Sequence, residues 1–416
     1  MQLNRRHFLT SGAAGAVALA MPFTTCSSSP QNKYAAVDAV LKKQVLKNQG
    51  FSSPVIIDTI ELLRYQNNFI CRVRSKDGAQ GLSVSNNMHM VYMYPILLSE
   101  VAPFFINKDA RDLDALIDRV YTWDSNYKLQ GLALWIPLAT VEFAILDMLG
   151  RIADKSMGEL IGDIHNPRVA VYQANNFRGL SAEESIKRIK AQVEETGAKA
   201  VKFKVGGRMD NPEEPPGRSE KLIPLVRKAF GDDMTIYADS NGSYDAQEAI
   251  RIGRLIEEYK FDFYEEPVPF DWYEATKKVA DALSVPIAGG EQEPSMRNFR
   301  WLIGNRALDI VQPDMFYFGG MIRSMKVALM AHALAMQCVP HISGSGLGYL
   351  YMMHFVSAIP NAGPYHEFKG FNRDIPIECA TSSLTSENGI VTVPTGPGLG
   401  VQIDPDYVKK HKVVKA

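Results

Sequence analysis

Residues 234–267 read MTIYADSNGSYDAQEAIRIGRLIEEYKFDFYEEP, and this stretch decides the fold. Two short apolar runs, MTIYAD and FDFYEE, flank a segment with a helical pattern. Apolar strands that alternate with helical segments indicate parallel βα units whose helices cover the outside of a sheet. Each run ends in an acid, Asp239 in the first and Glu265 in the second, 26 residues apart.

The same unit recurs on both sides. VAVYQANN and AVKFKV come before it; VPIAGGEQE, LDIVQPD and CVPHISG come after, each leading into a helical pattern, and YHEF is the candidate eighth strand. Glu265 to Glu291 is 26 residues, Glu291 to Asp314 is 23, Asp314 to His341 is 27 and His341 to Glu367 is 26. One polar residue thus recurs at the C-terminal end of each strand, where a (β/α)8 barrel gathers its active site. The expected fold class is α/β: a modified TIM barrel over residues 166–375, with an N-terminal α+β capping domain over 54–165. In that domain PVIIDTIELLRYQNNFICRVRSKDGAQGLSVS reads as an antiparallel meander with a Lys-Asp-Gly hairpin turn. LDALIDRVYTW and PLATVEFAILDMLGRIADKSMGELIG read as amphipathic helices. Residues 31–53 read as a linker and N-terminal segment, and 376–416 as a strand- and turn-rich segment returning to the capping domain.

In AVKFKV, residues 200–205, Lys202 and Lys204 are one residue apart on a strand and so share a face. A solvated edge strand would explain two neighbouring lysines. Placed at the end of the second barrel strand, however, they face a ring of carboxylates and a histidine. The loop that follows, GGRMDNPEEPPGRSE, lengthens its unit and reads as an exposed insertion at the mouth.

The 416 residues are 46% hydrophobic, which supports a sizeable core and excludes global disorder. A formal net charge of −1 gives no basic footprint and argues against nucleic acid as a partner. Cys26, Cys71, Cys338 and Cys379 lie far apart without zinc spacing, so a disulfide framework is not expected. At the N-terminus, Arg5-Arg6 precede Phe8-Leu9 and an apolar stretch from Gly12 to Phe23. The arrangement resembles a twin-arginine export signal over residues 1–30, which implies a periplasmic protein. Cys26 is a candidate lipid-anchor site, and beyond this stretch no segment is expected to span a membrane.

Asp239, Glu265 and Glu291 come from three consecutive strands. Three unpaired carboxylates cannot ionise together cheaply, so they call for a hard dication such as Mg2+. Alone, each has a plain structural reading: a turn cap, an arginine partner or a helix start. His341 follows Pro340, and Asp314 ends the neighbouring strand; a carboxylate on one imidazole nitrogen makes the other a better base. Glu367, if protonated, could donate a hydrogen bond to substrate. His89, in NNMHMVYMYP, is a candidate substrate contact on a recognition loop of the capping domain, or an ordinary packing histidine.

The ordered set VKFKV, ADSNGSY, YEEP, GGEQE, QPD, PHISGSG and TGPGLGVQID resembles the mandelate racemase branch of the enolase superfamily, from about residue 55 to the end. The resemblance implies Mg2+, with Mn2+ able to substitute, held by Asp239, Glu265 and Glu291. It implies abstraction of the proton α to a carboxylate through an enediolate. Lys202 would contact the substrate carboxylate, Lys204 would be the acid/base on one face and His341 with Asp314 on the other, and Glu367 would hydrogen-bond the carboxylate. Asn241 would join the substrate contacts. The motifs are most similar to acid-sugar dehydratases, which yield a 2-keto-3-deoxy acid. A racemase, epimerase or cycloisomerase would share the first step, and a sugar-acid binding protein on a dead barrel is the non-catalytic alternative. A homo-oligomer is expected.

Overall fold

The computed structural model describes residues 34–209, 211–343, 347–368 and 384–415. The twin-arginine stretch, Cys26 and Cys379 fall outside the described residues. The capping domain opens on the expected meander, β1 (Ile57–Tyr65), β2 (Asn68–Ser75) and β3 (Gln80–Val84). Gly78 takes a φ of 85° at the Lys-Asp-Gly turn, a left-handed value that glycine adopts without strain.

The helix Leu132–Ala153 packs against β2 and β3. Gly81 permits the contact, since a Cβ there would lie 2.1 Å from the Ala144 carbonyl oxygen. Two expectations change here. The helix is not amphipathic: every residue from Leu134 to Gly150 is buried. It is also long and apolar enough to cross a membrane by length and composition, although the fold uses it as a core helix. Sheet on one side and barrel helices on the other leave it no solvent face. The segment NNMHMVYMYP, expected as a loop, forms the helix Asn87–Ile96.

Residues 34–53 are not a free linker. The helix Ala35–Leu41 docks on the barrel helix Met321–Ala333 with Val37 and Val40 buried. Arg300 fixes it, donating to Asp38 Oδ2 at 2.7 Å and lying 3.9 Å over the Tyr34 ring.

Eight parallel strands form the barrel: β4 (Arg168–Ala174), β5 (Ala200–Lys204), β6 (Thr235–Asp239), β7 (Phe263–Glu265), β8 (Ile287–Gly289), β9 (Ile310–Val311), β10 (Gln337–Cys338) and β11 (His366–Glu367). β11 pairs with β4, and the Cys338 N–H donates to Asn361 at 2.9 Å to close the ring. Side chains of Tyr172, Tyr237, Phe263, Ala288, Ile310 and Val339 fill the interior, with Tyr237 stacked on Phe263 at 3.7 Å. Cys71 and Cys338 are buried free thiols.

The tail reaches further than expected. β14 (Lys412–Val413) does return to the capping sheet, pairing with β1. Between them, β12 (Ser386–Glu387) and β13 (Ile390–Thr392) form a hairpin whose second strand pairs antiparallel with the start of β4. The C-terminal segment therefore joins both parts of the molecule.

Candidate active site

Registration across three strands sets the base of the site. Lys204 pairs with Asp239, and Asp239 with Glu265, so all three leave the sheet at one level. Glu291, Asp314 and His341 sit two to three residues past the ends of β8, β9 and β10. After β9 and β10 the ladder stops early because Pro313 and Pro340 lack an N–H to extend it. A single bridge, Asp314 to His341, preserves the alignment, with the His341 N–H donating to Pro313 at 3.2 Å.

Lys202 is buried among acids. Its ammonium donates to both Glu265 oxygens at 3.0 Å, and lies 3.8 Å from Asp239 and 3.7 Å from Glu367. The ring of Tyr172 lies 5.1 Å beneath it. Lys204 donates to Asp239 and, at 3.1 Å, to Asn241 Oδ1. Asp314 is fully buried and saturated: it accepts from the N–H groups of Phe316, Tyr317 and Ser343 and from the Ser343 hydroxyl. It also contacts His341 Nδ1 at 2.7 Å, which fixes the tautomer with Nε2 facing Glu291 at 3.5 Å and Glu367 at 3.8 Å.

The electrostatics report crowded negative charge. Burial pushes Glu265 up, and the Asp239 carboxylate beside it adds to this, bringing it to about 7. Glu266, next in the chain, is driven well above the usual carboxylate range by burial and by Glu291 and Asp239. Burial opposes the charge on Lys202, yet Glu265 and its neighbours hold the ammonium well above its ordinary value. Burial likewise works against Asp239, but the two lysines bring it down to about 2. At an effective dielectric near 20, a 3.0 Å pair of unit charges is worth about 5 kcal/mol, so contacts of this kind can outweigh burial.

This donor set fits a hard dication: three buried carboxylates, one from each consecutive strand end, with Glu265 pushed above the usual carboxylate range by burial and by Asp239. Among the described residues no three acidic, cysteine or histidine side chains converge as a ready coordination sphere. The ammoniums of Lys202 and Lys204 take the carboxylate oxygens instead.

The cavity above these groups has a volume of about 180 Å3. Lys202, Lys204, Asn241, Glu291, His341 and Glu367 all line it, as the sequence expects. His89 is not in its wall. It contacts the Tyr317 hydroxyl at 3.0 Å, and Tyr317 and Met88 line the cavity instead. The helical form of NNMHMVYMYP explains this, because His89 and Met88 leave a helix in different directions. Sequence reasoning also missed Arg178, Tyr317 and the pair Asn86–Ser343, in which the capping domain donates to the site at 2.8 Å. The insertion after Lys204 is partly structural: buried Arg218 donates to the carbonyls of Phe177, Leu180 and Lys204.

Comparison with known proteins agrees with this geometry. The family model for enolase C-terminal domain-like proteins matches residues 184–407, more than half of the chain. The chain belongs to the enolase superfamily, in its mandelate racemase branch. This superfamily member is an enzyme of lyase or isomerase type, and superfamily members typically use Mg2+. An arabinonate dehydratase of Saccharolobus solfataricus is 27% identical over 310 residues, covering 74% of this chain and 81% of the relative. A D-galactarolactone cycloisomerase of Agrobacterium fabrum is 26% identical over 323 residues, 74% and 82% of the two chains. A candidate racemase from Roseobacter denitrificans has a solved structure that superposes with a TM-score of 0.79, at 31% identity, over 86% of this chain and 99% of its own.

Proposed function

We propose that this enolase-superfamily member dehydrates a sugar acid to a 2-keto-3-deoxy acid. The observation that carries the reading is one cavity lined by His341, Lys202, Lys204 and Glu291, with Asp314, Glu265 and Asp239 buried directly behind the first three. Asp239, Glu265 and Glu291 would hold Mg2+, for which Mn2+ can substitute, and the metal would offset the negative charge that builds on the substrate carboxylate as the α-proton leaves. The ammonium of Lys202 would meet the same carboxylate, and Glu367, once it carries a proton, would donate a hydrogen bond to it. His341 Nε2 takes the α-proton while Asp314 holds the ring; returned to the β-hydroxyl, that proton leaves as part of water. The enol product then tautomerises to the 2-keto acid. The dehydratase relatives support this substrate class.

A panel of sugar acids incubated with Mg2+, read for 2-keto acid and for α-proton exchange in D2O, tests the reaction. His341→Asn should lower both by about 10²–10⁴-fold, as expected for loss of a positioned base. EDTA should abolish turnover, and Mg2+ or Mn2+ should restore it. No exchange with any member of the panel would reject the reading. Exchange without loss of water favours the second reading, a racemase or epimerase, for which Lys204 supplies a second acid/base group three strands around the ring from His341.

The same proposal places the enzyme in the periplasm. Its support is Arg5-Arg6 before a short apolar stretch, with Cys26 as a possible point of lipid attachment. Replacing both arginines by lysine should leave the precursor in the cytoplasm, and undiminished delivery would exclude the twin-arginine route.

A further inference from the structure

Four lysine and arginine side chains line the cavity, and three are already engaged. Lys202 is paired with Glu265 and Lys204 with Asp239. Arg178 donates to the carbonyls of Gly206, Val205 and Asp239. The fourth is Arg208, in the insertion after Lys204. Its guanidinium has no ion pair among the described residues, and its side chain is exposed at the cavity wall.

The backbone that presents Arg208 is held in place. Arg208 and Met209 have φ values of 77° and 50°, left-handed conformations that are uncommon outside glycine. The Arg208 N–H donates to Ser243 Oγ at 2.8 Å, and the Met209 N–H to the Asn241 carbonyl at 2.9 Å. Gly206 lets the two loops touch, since a Cβ there would lie 2.4 Å from that of Ser243. Strain of this kind persists only where its surroundings impose it. The insertion is thus locked onto the loop that follows Asp239, and Arg208 is its contribution to the cavity.

The rest of the wall is polar. Asn175, Asn176, Gln292, Tyr317 and Ser343 offer amides and hydroxyls, whereas Met88 and Ala174 are its apolar members. Such a wall suits a chain of hydroxylated carbons better than an alkyl or aromatic group. The reacting carboxylate has Lys202 as its partner at the floor of the cavity. A monocarboxylate would leave the Arg208 charge unmatched, whereas a second carboxylate at the far end of the substrate would meet it.

We infer that Arg208 is a specificity-determining residue that binds the distal carboxylate of a polyhydroxy dicarboxylate, so that the preferred substrate is an aldarate and not an aldonate. This rests on the proposed sugar-acid chemistry and narrows it. Guanidinium–carboxylate pairs are charge-assisted and often two-pronged, and they discriminate strongly against a ligand that lacks the second anion.

The test compares hexarates, the matching hexonates and 6-phosphohexonates, each with Mg2+. For the wild-type enzyme, kcat/KM should favour hexarates over hexonates by at least about 10-fold, and Arg208→Met should reduce that ratio by about 10–100-fold. Arg208→Lys should recover part of it. Calorimetric binding of the same ligands to His341→Asn, with and without Arg208→Met, gives a second readout that needs no turnover. If no ligand undergoes proton exchange in the wild type, the proposed reaction fails while the binding ratio still decides the role of Arg208. A hexonate or 6-phosphohexonate preference in the wild type, or a hexarate-to-hexonate ratio that Arg208→Met leaves within threefold, overturns the inference.

Discussion

A base must be neutral, and His341 is held in the opposite state. Burial would lower its pKa, yet Glu291, Asp314 and Glu367 together raise it to about 9. Contacts of 3.5 and 3.8 Å from Nε2 to Glu291 and Glu367 are each worth roughly 4–5 kcal/mol at an effective dielectric near 20, enough to outweigh burial. Because Glu291 is also a proposed metal ligand, binding of Mg2+ should cancel part of the charge facing the ring and bring the imidazole back towards neutrality. In metal-free protein His341 should titrate near pH 9, and Mg2+ should move that titration down. The sign for stability follows from the raised value. The favoured charged form contributes fully below the ordinary histidine pKa of about 6.5 and is lost as pH rises through about 9. Nitrogen-15 NMR of the imidazole, with and without Mg2+, measures the shift. A metal-free value near 6.5 would mean that the acids do not act on the ring, and no response to Mg2+ would remove Glu291 from the ligand set.

At the scale of elements, much of the site was legible because a barrel turns strand order into geometry. Asp239, Glu265, Glu291, Asp314, His341 and Glu367 each close a unit of nearly constant length, and equal units around a ring must converge. What was not legible came from loops and from the second domain. Arg178 lies four residues past β4, in a loop with no periodicity to place it. Tyr317 and Ser343 take their positions from backbone and side-chain bonds to Asp314, which no spacing in the chain announces. His89 was misplaced because MHMVYMYP, with a proline at 95, reads as irregular, whereas the structure accommodates Pro95 inside the helix Asn87–Ile96. The helix Leu132–Ala153 was misjudged for another reason. Its two buried acids, Glu142 and Asp147, look like solvent-facing residues in one dimension. In the fold Glu142 accepts from the N–H groups of Met321 and Ile322, capping a barrel helix, and Asp147 accepts from Leu82 and Leu399. Polar residues that serve as ties between domains imitate solvent exposure in a sequence.

At the scale of the whole molecule, the C-terminal segment holds capping domain and barrel together, and one of its ties is a buried neutral histidine. His354, in the barrel helix Leu347–Ala358, is fully buried and lies with Nε2 2.9 Å from the Leu399 carbonyl. The Leu399 N–H in turn donates to Asp147 Oδ1 at 2.8 Å, in the core helix of the capping domain. Burial lowers the pKa of His354 to about 4, and that of His366, in the strand that closes the barrel, to about 4 as well. Both values lie below the ordinary histidine value of about 6.5, so the unfolded chain takes up these protons before the folded one does. Stability is therefore complete above pH 6.5 and falls as pH drops towards 4, by roughly 3 kcal/mol for each histidine over the window. Carboxylates titrate in the lower part of this range too, so the measurement that isolates the histidines is a difference. Urea unfolding at pH 7, 5.5 and 4.5 should show a smaller acid loss in His354→Gln than in the wild type, because glutamine can still donate to Leu399 but takes up no proton. The variant should start below the wild type at pH 7, where the imidazole packs better, and the gap should narrow as pH falls. A gap that stays constant across the three pH values would mean that His354 does not titrate on unfolding.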